Sequence, residues 1–519
     1  MHRRILSAFF STCLLFLNLL PSPAHAESAV VPEALPEAFG YSHKILLRDT
    51  WHSAYQADEP IHMSDADAYT SLEGITTFRG NNWRDTASWG TIPENPTSLN
   101  IVWQVRVGGI DSWAGVGWTG QPAVIRWPEE TLLLMNLNPE KQAKSGLTEV
   151  IYAALDGKIR FLDLEDGSET RPPIQQPAPI KGSVTIDPRG LPLLYCGQGL
   201  STAGKKSVKT GLRIYSLVDQ SLLYFLNGKD SFALRRWFAF DAAPLVDAAT
   251  DTLIETGENG LIYRIQLNTS LDESGHPTVH PEVVRYRYKS SVTDKQGIEN
   301  SPAVWDHYLY FADNSGLLSC VDLNTLEALW LADTGDDTDA TIVLEEQNGH
   351  PFLYTVCELD RRGLKGDAFC RKYDGLTGQL IWEVPIACSR RSENLEAGGF
   401  STPALGKGSL SGMIFFNLAR TKADGGTLYA LDTETGTILW QTSTDGYSWS
   451  SPVCCYNASG RGYLLHGNCK GTLKLYDAST GHELARAELK TNIEGSPVVF
   501  EDWIVIGTRG GRIYGIKIQ

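Results

Sequence analysis

Gly426-Thr427-Leu428-Tyr429-Ala430-Leu431-Asp432-Thr433-Glu434-Thr435-Gly436-Thr437-Ile438-Leu439-Trp440 is the stretch that decides the fold of this 519-residue chain. It holds a Gly, an alternating strand, an Asp six residues after the Gly, a Thr-Gly turn and a Trp. The same frame recurs along the chain. Gly471 leads to Asp477, Thr480 and Gly481. Gly316 leads to Asp322, Thr325 and Trp330, and Gly157 to Asp163, Asp166 and Gly167. Asp374, Thr377, Gly378 and Trp382 repeat it without the leading Gly. Weaker copies run from Thr210 to Tyr224 and from Gly260 to Gln266, and Gly511 begins a last one that ends at Gln519. Self-similarity of this kind marks a repeat architecture.

A second element precedes each frame: a small residue, Pro, then a short apolar strand. Ala243-Pro244-Leu245-Val246, Ser301-Pro302-Ala303-Val304, Thr402-Pro403-Ala404-Leu405, Ser451-Pro452-Val453-Cys454 and Ser496-Pro497-Val498-Val499 show it. Gln121-Pro122-Ala123-Val124 belongs with them. Gly182-Ser183-Val184-Thr185 and Ala340-Thr341-Ile342-Val343 stand at the same point without Pro, which makes eight starts. An apolar run behind Pro reads as a buried first strand, since Pro is tolerated at a strand's first residue. Tyr308–Ala312 reads as the second strand and Leu317–Val321 as the third. The Asp-x-x-Thr-Gly segment makes the next turn, with Gly supplying positive φ, and the Trp strand is outermost.

A four-stranded sheet cannot bury both faces alone, so neighbouring sheets must stack, and a ring limits their edges. The expected fold is therefore all-β: an eight-bladed β-propeller of four-stranded antiparallel blades. The last unit supplies only three strands, ending in Arg512–Ile518. Its fourth should be Leu99–Val107, whose Trp103 matches the other outer-strand Trp residues. That N-terminal strand would close the ring and cover an exposed edge. The expected organisation is residues 1–26 as a signal peptide, 27–98 as an extended lead-in packed on the ring, and 99–519 as the propeller.

The leader rests on Arg3 and Arg4, the mostly apolar run Ile5–Leu20, and Ala24-His25-Ala26 before Glu27. A retained membrane anchor is the other reading, although the run is short for a span. Cys13 follows Thr12 and makes a poor lipoprotein acceptor. The expected location is secreted, extracellular or periplasmic, with no transmembrane segment after cleavage. The formal charge of −16 argues against nucleic acid and anionic membranes as partners. Gly (49), Trp (14) and Tyr (20) are plentiful and Met (4) is scarce, which suits strands and tight turns. The cysteines after the leader lack zinc-ribbon spacing. Cys357 and Cys370 flank the turn at Gly363 almost symmetrically. A disulfide between them is one reading, and two free buried thiols the other.

The Ala430-x-Asp432-x-x-Thr435-Gly436-x-x-x-Trp440 frame closely resembles the tryptophan-docking repeat of pyrroloquinoline-quinone-dependent alcohol dehydrogenases. The repeat also occurs in non-enzymatic relatives, among them a periplasmic lipoprotein that assists outer-membrane protein assembly. Phe78-Arg79-Gly80-Asn81 resembles the segment that precedes such propellers. The resemblance covers residues 76–519, and the chain is expected closer to the non-enzymatic members. It implies that Trp330, Trp382 and Trp440 stack between blades. A dehydrogenase of this family would need calcium ligands, a catalytic Asp and groups stacked around the quinone. No such set can be placed, and no cofactor is expected. Pyrroloquinoline quinone with calcium is the alternative. Cys454-Cys455 resembles the vicinal disulfide beside that cofactor, but it sits in an inner strand, where one thiol on each face is the plainer reading.

No nucleophile elbow, HExxH helix, P-loop or dinucleotide fingerprint is present, so no catalytic residue is assigned. Asp333, Asp336, Asp337 and Asp339 crowd one loop and read as a solvated turn. The functional signal is positional. Segments just before the inner strands ring one mouth of a propeller channel, and here they carry Trp113, Trp118, Arg235, Trp237, Glu299, Glu396, Trp449 and Glu494. Such groups at a concave mouth suit a protein, peptide or glycan ligand, or they pack on one another as a cap. The expected function is a binding scaffold acting as a monomer, with a quinone-dependent dehydrogenase of alcohols or sugars as the alternative.

Overall fold

The computed structural model describes residues 29–519 apart from Thr119, Asn394 and Asp424. The leader and Cys13 lie outside the described residues. The described residues form eight principal sheets in chain order, each antiparallel from an innermost to an outermost strand. The inner strands are Ala123–Arg126, Thr185–Ile186, Leu245–Asp247, Ala303–Trp305, Val343–Gln347, Ala404–Leu405, Val453–Tyr456 and Val498–Phe500. Each follows one of the eight small-residue starts. The chain is an eight-bladed β-propeller, with blades numbered here in that order. No helix among the described residues is long and apolar enough to cross a membrane.

The ring closes as the sequence predicts. Leu99–Arg106 is the outer strand of the eighth blade, antiparallel to Arg512–Ile518, with Gly515 opposite Trp103 and Ile513 opposite Val105. The docking residues share one geometry. The Trp382 indole donates to the Thr433 carbonyl at 2.9 Å, one residue after the Asp of the next blade's turn. Trp103, Trp330 and Trp440 donate to Leu164, Gly375 and Ala478 in the same way, at 2.7, 2.8 and 2.9 Å. The turn Gly is required for this contact. Gly436 has φ of 71°, and a Cβ there would lie 2.9 Å from the Trp382 ring.

The first blade departs from this pattern. Arg171 stands eight residues after Asp163, where the frame puts Trp. Its Nη1 donates to the Leu217 carbonyl at 2.6 Å, the acceptor that a Trp would use. The guanidinium is fully buried against Glu149, also fully buried, at 2.5 Å. Glu149 further accepts from Trp127 Nε1 at 3.0 Å and from the Thr170 hydroxyl.

Small residues before Pro form a belt between blades. The amide of Ser301 donates to Thr341 Oγ1 at 3.0 Å, Thr341 to Thr402 at 3.1 Å, Thr402 to Ser451 at 3.1 Å, and Ser451 to Ser496 at 3.1 Å. Ala243 donates to Ser301 Oγ at 2.9 Å, and Gln121 to Ser183 Oγ at 2.8 Å. The belt skips Ala243 as an acceptor because it has no hydroxyl. Ser301→Ala should lower stability by about 1 kcal/mol, since it leaves one buried amide unpaired. A shift in the urea midpoint at constant slope measures this.

Residues 29–98 add strands to the blades. Ser42–Leu47 pairs with Glu282–Lys289, and Thr50–His52 extends that edge, so the third blade has six strands rather than four. Glu73–Ile75 pairs with the first blade's inner strand. Ser88–Trp89 runs parallel to that of the eighth. Between them Arg79 and Arg84 cross the axis, 1% and 0% exposed. Arg79 donates to the carbonyls of Pro452 at 2.7 Å and Pro403 at 3.1 Å. Arg84 donates to Pro302 at 2.8 Å, Ala243 at 2.7 Å and Phe78 at 2.7 Å. Burial lowers both guanidinium pKa values to about 10, so both stay charged at neutral pH.

Candidate functional site

The axial arginines sit at the level of the Pro residues and fill the channel there. The segments just before those residues carry an aromatic wall and an acidic arc. The aromatic wall comes from the segments before the seventh, sixth and first blades. Phe400 and Trp449 stack with ring centroids 4.2 Å apart and planes 11° apart. Trp449 lies 5.0 Å from Trp118, and Trp118 lies 6.3 Å from Trp113. Trp113, Trp118, Trp449, Glu494, Arg509 and Ser112 surround a cavity of about 230 Å³. A larger cavity of about 530 Å³ lies at the other end, where lead-in residues such as Leu72 and Trp89 meet Lys407 and Tyr456.

Glu494 has its partners within the wall. It takes Arg509 at 3.1 Å and Asn492 Nδ2 at 2.8 Å, and the Trp118 amide at 3.4 Å. It therefore positions the loop that carries Trp118. Trp449 is fixed by its stack on Phe400, whereas Trp113 offers a half-buried indole face to Arg509 at 5.6 Å. Trp237 is 40% exposed.

An acidic arc comes from the segments and turns of the third to sixth blades. Asp241, Glu258 and Glu299 place carboxylate oxygens within 4.8 Å of one another. Lys181 joins them to the aromatic wall. Its Nζ lies 2.7 Å from Asp241 Oδ2, 4.0 Å from Glu258 and 4.2 Å over the Trp118 ring. Burial alone would lower the Lys181 pKa, but Asp241, Glu258 and Glu299 outweigh it and hold the ammonium charged. Arg235 donates to Asn314 Oδ1 at 2.8 Å and lies 3.9 Å from Glu258. Asn314 Nδ2 donates to Glu299 Oε1 at 2.9 Å.

The crowded aspartates are not a solvated turn. Asp333 is exposed and caps the Gly335 amide at 2.7 Å. Asp336 is 1% exposed and takes the amides of Asp360 and Arg361. Asp337 and Asp339 turn toward Glu299, Glu358 and Glu396, because the neighbouring segments fold over the same mouth. Burial, then Glu299, raises the pKa of both Asp337 and Asp339 well above the usual carboxylate range. Burial, then Asp339, does the same to Glu358. Glu396 is raised by burial, Asp360 and Glu299, against Arg390 and Arg420.

Seven of the eight positions singled out in the sequence thus divide into two groups, and the exposed Trp237 joins neither. Trp113, Trp118, Trp449 and Glu494 share one wall, while Arg235, Glu299 and Glu396 belong to the acidic arc. Sequence reading missed Lys181, Asp241, Glu258 and Glu358 as site residues. Lys181 stands two residues before Ser183 at a repeat start, the one positional signal that could have marked it.

The disulfide between Cys357 and Cys370 is not formed; both thiols are free and buried. The strand register sets Cys370 opposite Val356, one residue away from Cys357. Cys454 and Cys455 are free and buried as well, and they pack into different clusters on the two faces of their strand. Burial raises the Cys454 pKa to about 12. The Phe400–Trp449 stack leaves no gap for a ring between them.

Residues 424–519 match the family model described as outer membrane protein assembly factor BamB. The quinohemoprotein alcohol dehydrogenase ADHIIG of Pseudomonas putida HK5 superposes with a TM-score of 0.57 at 12% identity, over 86% of this chain and 80% of that one. That likeness shows the fold alone. BamB from Moraxella catarrhalis aligns at a TM-score of 0.36 and 13% identity, over 81% of this chain and 98% of that one. The Beta-alanine-activating enzyme of Danio rerio is 28% identical over 95 residues, 18% of this chain. The chain spans 8% of the length of that curated relative. The chain is thus an eight-bladed β-propeller, and residues 424–519 carry the match to the pyrroloquinoline-quinone-repeat family model.

Proposed function

We propose that this protein is a binding scaffold outside the cytoplasm that presents its open mouth to a protein or peptide. The observation that carries this reading is the asymmetry of the channel. One end is sealed by Arg79 and Arg84, which donate to the carbonyls of Pro452, Pro403, Pro302 and Ala243. The other holds half-buried indoles and carboxylate oxygens that lack partners, an arrangement suited to an incoming ligand. The leader-like start and the assembly-factor description of the matching family support a place in the cell envelope. The protein is read as a monomer, because the ring closes on itself and leaves no blade edge that needs a second copy.

A photo-crosslinking residue at Trp237 tests the reading in cells. Adducts of defined mass should form there and not at Val102, an exposed position on the outer strand of the eighth blade. Equal labelling at both positions would sink it. The second reading, a quinone-dependent dehydrogenase, draws on the three close carboxylates Asp241, Glu258 and Glu299. Stoichiometric uptake of pyrroloquinoline quinone with calcium, followed by dye reduction, would put it first. No retained quinone absorption is expected.

A further inference from the structure

We infer that the acidic arc binds an organic cation, an ammonium or guanidinium group, in the way that Lys181 is already held. The inference rests on the reading of this mouth as a binding site. Lys181 shows what the site accepts: one ammonium between a Trp face and paired carboxylates, 5% exposed. That ammonium serves Asp241 and Glu258. Among the described residues no ion pair gives the neighbouring group, Asp337, Asp339, Glu358 and Glu396, an equivalent ammonium. Nearby arginines are engaged elsewhere. Arg390 pairs with Asp360 at 3.4 Å and donates to the carbonyls of Leu395 and Glu393. Arg420 Nε donates to the Glu396 carbonyl at 2.7 Å.

The second observation is the set of orphaned oxygens. Glu358 is 3% exposed and its carboxyl feels the charges of Asp339, Asp337 and Glu396; among the described residues its Oε1 has no hydrogen-bond partner, nor do Asp337 Oδ1 and Asp339 Oδ1. A buried acceptor without a donor is costly, and like charges packed together raise that cost. A ligand that brings N–H donors and positive charge relieves both at once. An anion would aggravate both. A bare divalent ion would relieve the charge but make no use of the aromatic wall that Lys181 spans. Two sources share the required chemistry, a basic segment of a partner protein and a free polyamine.

The sign of the pH effect follows from the groups already named around Asp337, Asp339, Glu358 and Glu396. Burial and mutual repulsion push these carboxyls up, and a bound cation favours the ionised form. Binding should therefore release protons and weaken as pH falls.

Calorimetry on the mature chain tests the inference with spermidine, a four-lysine peptide, a four-glutamate peptide and calcium chloride. The lysine peptide or spermidine should bind at least tenfold tighter than the glutamate peptide. Asp339→Asn with Glu358→Gln should weaken that binding tenfold or more, while the melting temperature stays level or rises. Glu396→Gln, in a half-buried position, is the second variant should the pair misfold. Spermidine binding alone assigns a polyamine, and tighter binding of the peptide assigns a protein segment. Absence of heat with both cations overturns the inference, as does unchanged binding by the variants or displacement of both cations by calcium alone. Trp237 crosslinks that persist in the variants would keep the scaffold reading and remove only the cation.

Discussion

Arg84→Met is expected to destabilise the protein by about 4 kcal/mol or more, the largest effect of any single change proposed here. The substitution removes donors from the carbonyls of Pro302, Ala243 and Phe78. Each buried acceptor left without a partner costs about 1–3 kcal/mol. No water replaces the guanidinium easily, since the residue is 0% exposed. A whole domain is typically stable by about 5–15 kcal/mol, so the loss is a large share. Urea denaturation at constant slope gives the value. Arg84→Lys should recover only part of it, because one ammonium cannot span Pro302 and Ala243 as a planar fork does. A midpoint equal to that of the natural protein would show that the axial arginine fills space without bracing the blades.

The second large effect is a cycle at Arg171 and Glu149. Arg171→Trp restores the residue type that the frame uses in other blades, yet it should cost about 3–5 kcal/mol, because it strands a fully buried carboxylate. Glu149→Leu alone should cost a similar amount by stranding the guanidinium. The two together should cost well below the sum of the single losses, the remainder coming from the Trp127 and Thr170 donors that lose Glu149. The double mutant therefore tests whether the first blade is the same docking device built from different chemistry. Additive losses would refute it.

The blades were readable in the sequence because each is local. Pro at the strand start, the Asp-x-x-Thr-Gly turn and the Trp all act within one repeat and its neighbour. The seam was readable because Trp103 repeats the outer-strand signature. Arg171 was not, since it breaks the residue pattern while keeping the acceptor. The bracing by Arg79 and Arg84 left no trace in residue types, because the blade partners they reach are main-chain carbonyls of Ala243, Pro302, Pro403 and Pro452, far along the chain. The two added strands on the third blade come from the same kind of distant backbone pairing. At the mouth, the aromatic positions were legible and their roles only in part: Glu494 turned out to be tied up by Arg509. Asp337 and Asp339 were misread because a run of acids is normally solvated. What buries them is the convergence of segments from other blades, which no local window contains.

The order of synthesis gives the closed ring a consequence. Arg84 emerges long before Pro302, and Arg79 waits for Pro403 and Pro452. Leu99–Arg106 waits for the final strand. These early segments must stay unengaged until their distant partners arrive. Such long-range closure is slow and leaves strand edges uncovered meanwhile. A chain that stops short of Arg512 leaves the outer strand Leu99–Arg106 uncovered, although every hub partner of Arg79 and Arg84 is already made.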